Sequence, residues 1–181
     1  PKPVSVKVID SSRLEILFDE APDSISALKP SNYSINGGLG YPDSVSFGTN
    51  SSVILHLKKA MLSGTNYLLQ LSGITDILGN STPMQSLSFS YFIPGPMDVL
   101  INEIFPDPSP VLGLPEYEFV ELYNRSDFPV NLENWSFADE GTEVKLPVYL
   151  LMPDSFVILC TPAAKSHYES FGSVLKLPIS A

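Results

Sequence analysis

The sequence predicts an all-β protein built as two tandem β-sandwich domains, the second carrying one short helix. Three observations predict it. Short runs in which apolar and polar residues alternate recur along nearly the whole chain. Clusters of Asp, Asn, Ser and Gly punctuate them, as turns between half-buried strands require. Midway, "FIPGPMD" breaks the pattern with two prolines around a glycine, the composition of a short stiff linker.

The elements of the first half follow in order. "VSVKV" puts Val4, Val6 and Val8 on one face, and "RLEILFD" does the same with Leu14, Ile16 and Phe18. "DSISALKPSNY" holds one turn of helix ahead of Pro30. "SVILHLK" aligns Val53, Leu55 and Leu57, "NYLLQLS" aligns Tyr67, Leu69 and Leu71, and "SLSFSYF" aligns Leu87, Phe89 and Tyr91. Regular short strands with such turns are the pattern of a sandwich. In "DILGN", Asp76 and Asn80 can close an Asx-type turn, with Gly79 supplying a positive φ.

The second half restarts with "VLINEIF", then "YEFVELYN", "FPVNLENWSFAD", "EVKLPVYLL" and "SFVILCT", all read as strands. "TPAAKSHYESFG" differs. Thr161 suits an N-cap, Pro162 the first helical position and Gly172 the stop, while Ala164, Tyr168 and Phe171 share a helical face. "SVLKLPIS" reads as a last strand. The domains are therefore expected at 1–94 and 95–181.

Charge divides the same way. Through Ile93 the chain holds six Lys or Arg against seven Asp or Glu, a net of −1; from Pro94 onward it holds four against thirteen, a net of −9. An acidic surface repels phosphate backbones, so nucleic acid is not expected as a partner. No stretch approaches the roughly 18 apolar residues of a membrane helix, so membrane insertion is not expected either. The single cysteine, Cys160, ends the run "FVILC" and reads as a buried inert thiol. One cysteine permits no intrachain disulfide, which argues against a small disulfide-stapled scaffold.

Two resemblances extend this reading. The first half, over residues 3–93, resembles bacterial immunoglobulin-like domains of multidomain surface proteins, through "RLEILFDEAPDSISALKPSNYSI", "LSGTNYLLQLSGITDILGN" and a closing strand ending near Phe92. The second half, from Asp98 to about Ser180, resembles a lamin tail domain, an Ig-like sandwich also found in bacterial exported proteins. That likeness rests on "VLINEIFPDPS", "EYEFVELYNRSDFPVNLENWSFAD" and "LPVYLLMPDSFVILC". The family usually continues with an Asn- and Gly-rich turn and further strands, absent from this sequence. The resemblance therefore implies a domain that is either truncated or completed by something else; an incomplete sandwich is expected to leave an unpaired edge, open to strand addition or to an edge-strand dimer. Asp23-Ser24-Ile25 and Asp43-Ser44-Val45 also resemble a bacterial O-glycosylation acceptor pattern. Together these imply export, to periplasm, outer surface or medium.

Candidate sites are few. Glu103 and Glu121 sit inside apolar strands, where a carboxylate must be paired, hydrogen-bonded or protonated. Glu103 shares sequence parity with Val99, Ile101 and Phe105, but both strands are apolar at both parities, so alternation does not say which face is wet. One reading has both glutamates accept loop amides and tether strand to turn. The other is a calcium or similar cation site drawn from Glu103, Asp107, Glu121 and Asp139, because oxygen ligands cluster there. A glycosidase-like pair lacks substrate-positioning partners. His56 and His167 have no metal-ligand spacing, and no G-x-S-x-G, P-loop or G-x-G-x-x-G occurs. Trp135 reads as core rather than as a sugar-stacking platform. The expected function is non-catalytic, with no cofactor unless calcium: a structural or binding module whose partner is a protein or carbohydrate at the cell surface. The alternatives are a calcium- or carbohydrate-binding adhesion module, or an accessory region of a hydrolase whose catalytic domain lies elsewhere.

Overall fold

The computed structural model describes residues 1–49, 51–81, 83–106, 113–139 and 142–177. The chain is all-β and divides into two compact units, 1–93 and 94–181.

Unit 1 holds β1 (Pro3–Asp10), β2 (Arg13–Phe18), α1 (Ser24–Ala27), β3 (Tyr33–Ile35), β4 (Ser44–Phe47), β5 (Ser52–His56), β6 (Thr65–Leu71) and β7 (Gln85–Tyr91). One sheet runs β1-β2-β5-β4 and the other β3-β6-β7, every pairing antiparallel. The alternation sets the inner faces: Leu14, Ile16 and Phe18 meet Val53, Leu55, Tyr33, Ile35, Tyr67, Leu69 and Leu71 in one buried cluster. Burying each of these side chains contributes about 1.5–3 kcal/mol. Val6, Val8, Leu87, Phe89 and Tyr91 line its margin, whereas Val4 is exposed. Strand β4 has no expectation in the sequence, and it forms by pairing with β5 rather than by its own pattern. The single helical turn, α1, is capped by Asp23, whose carboxylate accepts from the Ser26 amide. The Asp76 turn forms as expected. Its carboxylate accepts from the amides of Leu78 and Asn80 and from the Asn80 side chain, with Gly79 at φ 84°.

Unit 2 holds β8 (Val99–Phe105), β9 (Phe119–Asn124), β10 (Val130–Asn131), β11 (Ser136–Asp139), β12 (Thr142–Lys145), β13 (Leu150–Leu151), β14 (Phe156–Cys160), α2 (Lys165–Tyr168) and β15 (Val174–Lys176). Its main sheet runs β15-β14-β9-β8, with β10 paired to β13 and β11 to β12 beside it. Strands β14 and β15 are parallel, and α2 is their crossover. One face of the sheet carries Val120, Leu122, Val157 and Leu159; the other carries Phe119, Glu121, Tyr123, Phe156, Ile158 and Cys160. On the second face Phe119, Ile158 and Cys160 cluster with Ala164 and Tyr168 of the helix segment. Tyr168 anchors there through its hydroxyl, which donates to the carbonyls of Tyr117 (2.6 Å) and Pro115 (3.1 Å).

The helix is shorter than its sequence signals suggest. It starts at Lys165, after a turn in which the Ala164 amide reaches the Thr161 carbonyl, so Thr161 does not cap it. Phe171 lies beyond its end and is exposed.

Candidate functional site

The two glutamates singled out by the sequence are brought together. β8 and β9 pair antiparallel, and Glu103 stands opposite Glu121. A register shift between Ile101 and Glu103 makes Asn102 a β-bulge residue. The bulge reverses parity. Ile101 and Ile104, three residues apart, therefore share the Leu122 face, and Glu103 and Phe105 point to the other. Glu103 is exposed and Glu121 half-buried.

Among the described residues, neither glutamate accepts from a loop amide. Glu121 accepts instead from the Asn102 side-chain amide at 2.7 Å, a bond within the sheet that the sequence reading missed. No parity argument could find it, because the bulge that aims Asn102 is visible only once the ladder is drawn. Glu103 bears on Tyr168 of α2: the phenol is pushed up chiefly by burial, with Cys160 and the Glu103 charge adding to the shift. Of the other suggested cation ligands, Asp107 lies outside the described residues, and Asp139 is described by its backbone alone, at the end of β11 opposite Thr142. Among the described residues no three His, Cys, Asp or Glu side chains converge as a metal set.

Beyond the Glu pair, the sheet face continues as a row of Leu100, Tyr123 and Phe156. The rings of Tyr123 and Phe156 stack at 4.6 Å, and the Tyr123 hydroxyl donates to Asp154 at 2.6 Å. That bond, ahead of desolvation, raises the Tyr123 phenol, since losing its proton would set two anions side by side.

Two serines sit beside groups that elsewhere activate nucleophiles. Ser136 lies between Glu143 and Lys145, donating to the carboxylate and accepting from the ammonium. The hydrogen bond from Ser136, then Lys145, holds Glu143 below the usual carboxylate range, which makes it a weak base. Ser46 is 2.9 Å from His56 Nε2 on the strands β4 and β5. Trp135 is half-buried between β10 and β11, its amide donating to the Leu132 carbonyl. Ser24 and Ser44 are both exposed, each after an aspartate.

In unit 2 the I-N-E strand, β8, lies against the V-E-L-Y-N strand, β9. Residues 94–176 match the family model of the Lamin Tail Domain. The match covers unit 2 almost from end to end and leaves unit 1 outside it. Among solved structures the chain is similar to the S-layer protein rSbsC(31-844), at 21% identity and a TM-score of 0.47 over 84% of this chain and 19% of that one. It is also similar to the N-terminal part of the bacterial S-layer protein SbsC, at 20% identity and a TM-score of 0.47 over 78% of this chain and 36% of that one. The chain thus spans well under half the length of either structure. No curated protein sequence matches it.

Proposed function

We propose that the chain is a non-catalytic structural and binding region of an exported bacterial multidomain protein, whose sandwiches space or present a partner at the cell surface. The observation that carries this reading is where the polar chemistry goes. Asn102 and Glu121 bond to each other across the sheet, Ser136 bridges an ion pair, Asp76 closes a turn, and Tyr123 donates to Asp154. Each stabilises the scaffold. The strand order of unit 1 supports the immunoglobulin-like reading of that half, within the same proposal.

The test is direct. The purified chain is offered glycoside, ester and phosphomonoester substrates; no turnover is expected. A rate abolished by one point substitution would overturn the reading. Calcium belongs to this proposal as an ion the Glu103–Glu121 pair could share. A cation bound by the folded state raises the melting temperature, so melts with and without millimolar calcium decide that part.

A further inference from the structure

We propose that the edge of β8 that has no partner strand among the described residues accepts an extended segment of a partner polypeptide as an added strand, one alternating aliphatic and basic side chains. The proposal rests on the reading of unit 2 as a presenting scaffold and names what it presents to.

The first observation is a gradient of burial along the inner rows of the sheet. From β14 through β9 to β8, one row reads Val157 at 0%, Leu122 at 8% and Ile101 at 56% exposed. The next runs from Leu159 at 2%, through half-buried Val120, to Ile104 at 60%. Asn124 of β9 bonds the Leu151 carbonyl of β13, whereas among the described residues Ile101 and Ile104 of β8 stay exposed. Two isoleucines that the bulge has turned inward are left on an open ledge.

The second observation is the edge itself. β8 is seven residues long and, among the described residues, pairs only with β9. Its outward amides and carbonyls form a template for another strand. A bulge and a mid-strand charge are how edges resist pairing with copies of themselves. Both are present here, and unit 2 carries a net of −9. A second copy is therefore a poor occupant.

The third observation selects the partner's chemistry. Glu103 and Glu121 are like charges directly opposite one another, an unfavourable cross-strand pair. A strand added beyond β8 sets its own side chains next to Glu103. If it follows the register that β9 uses, consecutive partner residues face Ile101, Glu103 and Ile104. An aliphatic–basic–aliphatic sequence extends both apolar rows on one face and neutralises the carboxylates on the other. Main-chain hydrogen bonds then supply affinity and the alternation supplies specificity.

The experiment titrates the whole chain with a short fluorescent peptide alternating valine and lysine. Controls are a valine–glutamate peptide and a block peptide with the valines and lysines segregated. Anisotropy reports affinity and backbone amide NMR reports the place. The alternating basic peptide is expected to bind at least about tenfold more tightly than either control, with shifts centred on Ile101–Phe105. Glu103→Lys should reverse the charge preference, and Ile104→Asn should weaken binding about tenfold; both positions are exposed, so the fold tolerates the changes. Equal binding of the block peptide, shifts away from β8, or a dimer at micromolar concentration by sedimentation would each overturn the proposal. Substrate turnover would instead sink the scaffold reading, so the two failures are distinguishable.

Discussion

Glu103 and Glu121 face each other across β8 and β9, and among the described residues only Glu121 accepts a hydrogen bond, from the Asn102 side chain. The pair is an arrangement that the rest of the sheet sustains. Replacing Glu103 with Gln removes the repulsion and leaves the Asn102–Glu121 bond in place. Urea unfolding should show a gain of about 0.2–1 kcal/mol, the scale of a cross-strand pair. A loss would mean that the Glu103 charge has a favourable partner.

Asn124 is fully buried at the end of β9 and uses both ends of its amide. It donates to the carbonyls of Phe128 and Leu151 and accepts from the Ser126 amide and hydroxyl. Asn124→Ala should cost about 2–4 kcal/mol by urea denaturation, because buried partners lose their bonds. Asn124→Asp should also destabilise, since it cannot donate to two carbonyls.

Acid should act through Asp10. The Ser12 amide, then the Arg13 side chain, hold its carboxyl at about 2, below the ordinary 3.8. A depressed pKa means the folded state favours the ionised form. Its contribution is present above 3.8 and is lost as pH falls towards 2. An NMR titration should place the Asp10 midpoint near 2, and Asp10→Asn should flatten stability against pH across that window.

Gly48 sits against the buried Ser52, whose hydroxyl donates to Glu15 and to the Thr49 carbonyl. A Cβ at Gly48 would lie 2.3 Å from the Ser52 Oγ and 3.0 Å from the Glu15 carboxylate. Gly48→Ala should therefore cost about 1–3 kcal/mol in a thermal or urea melt. Pairing it with Ser52→Ala should recover part of that loss.

Much of the fold was legible in the residues, for reasons that also mark where reading fails. Leu14, Ile16 and Phe18 are buried as their alternation requires, because an uninterrupted strand keeps a period of two. At Asn102 the period breaks. Val99 and Ile101 share sequence parity with Glu103 yet lie on the opposite face. Strand β4 was invisible because "SVSF", between Pro42 and Gly48, holds only two apolar residues and forms through its neighbour. The capping signals at Thr161 and Pro162 shape a turn, and α2 begins three residues past Pro162. The sequence could nominate Glu103 and Glu121 as a pair, but their partner Asn102 depended on a bulge.

The parallel pairing of β14 with β15 has a mechanical consequence. β8 runs antiparallel to β9, β9 antiparallel to β14, and β14 parallel to β15. The first and last strands of this unit therefore point the same way, on opposite edges of one sheet. Tension applied between the start of β8 and the end of β15 pulls along the strands in shear. The ladder bonds are then loaded together rather than opened one after another, so the unit resists stretching from its ends more strongly than peeling from one edge.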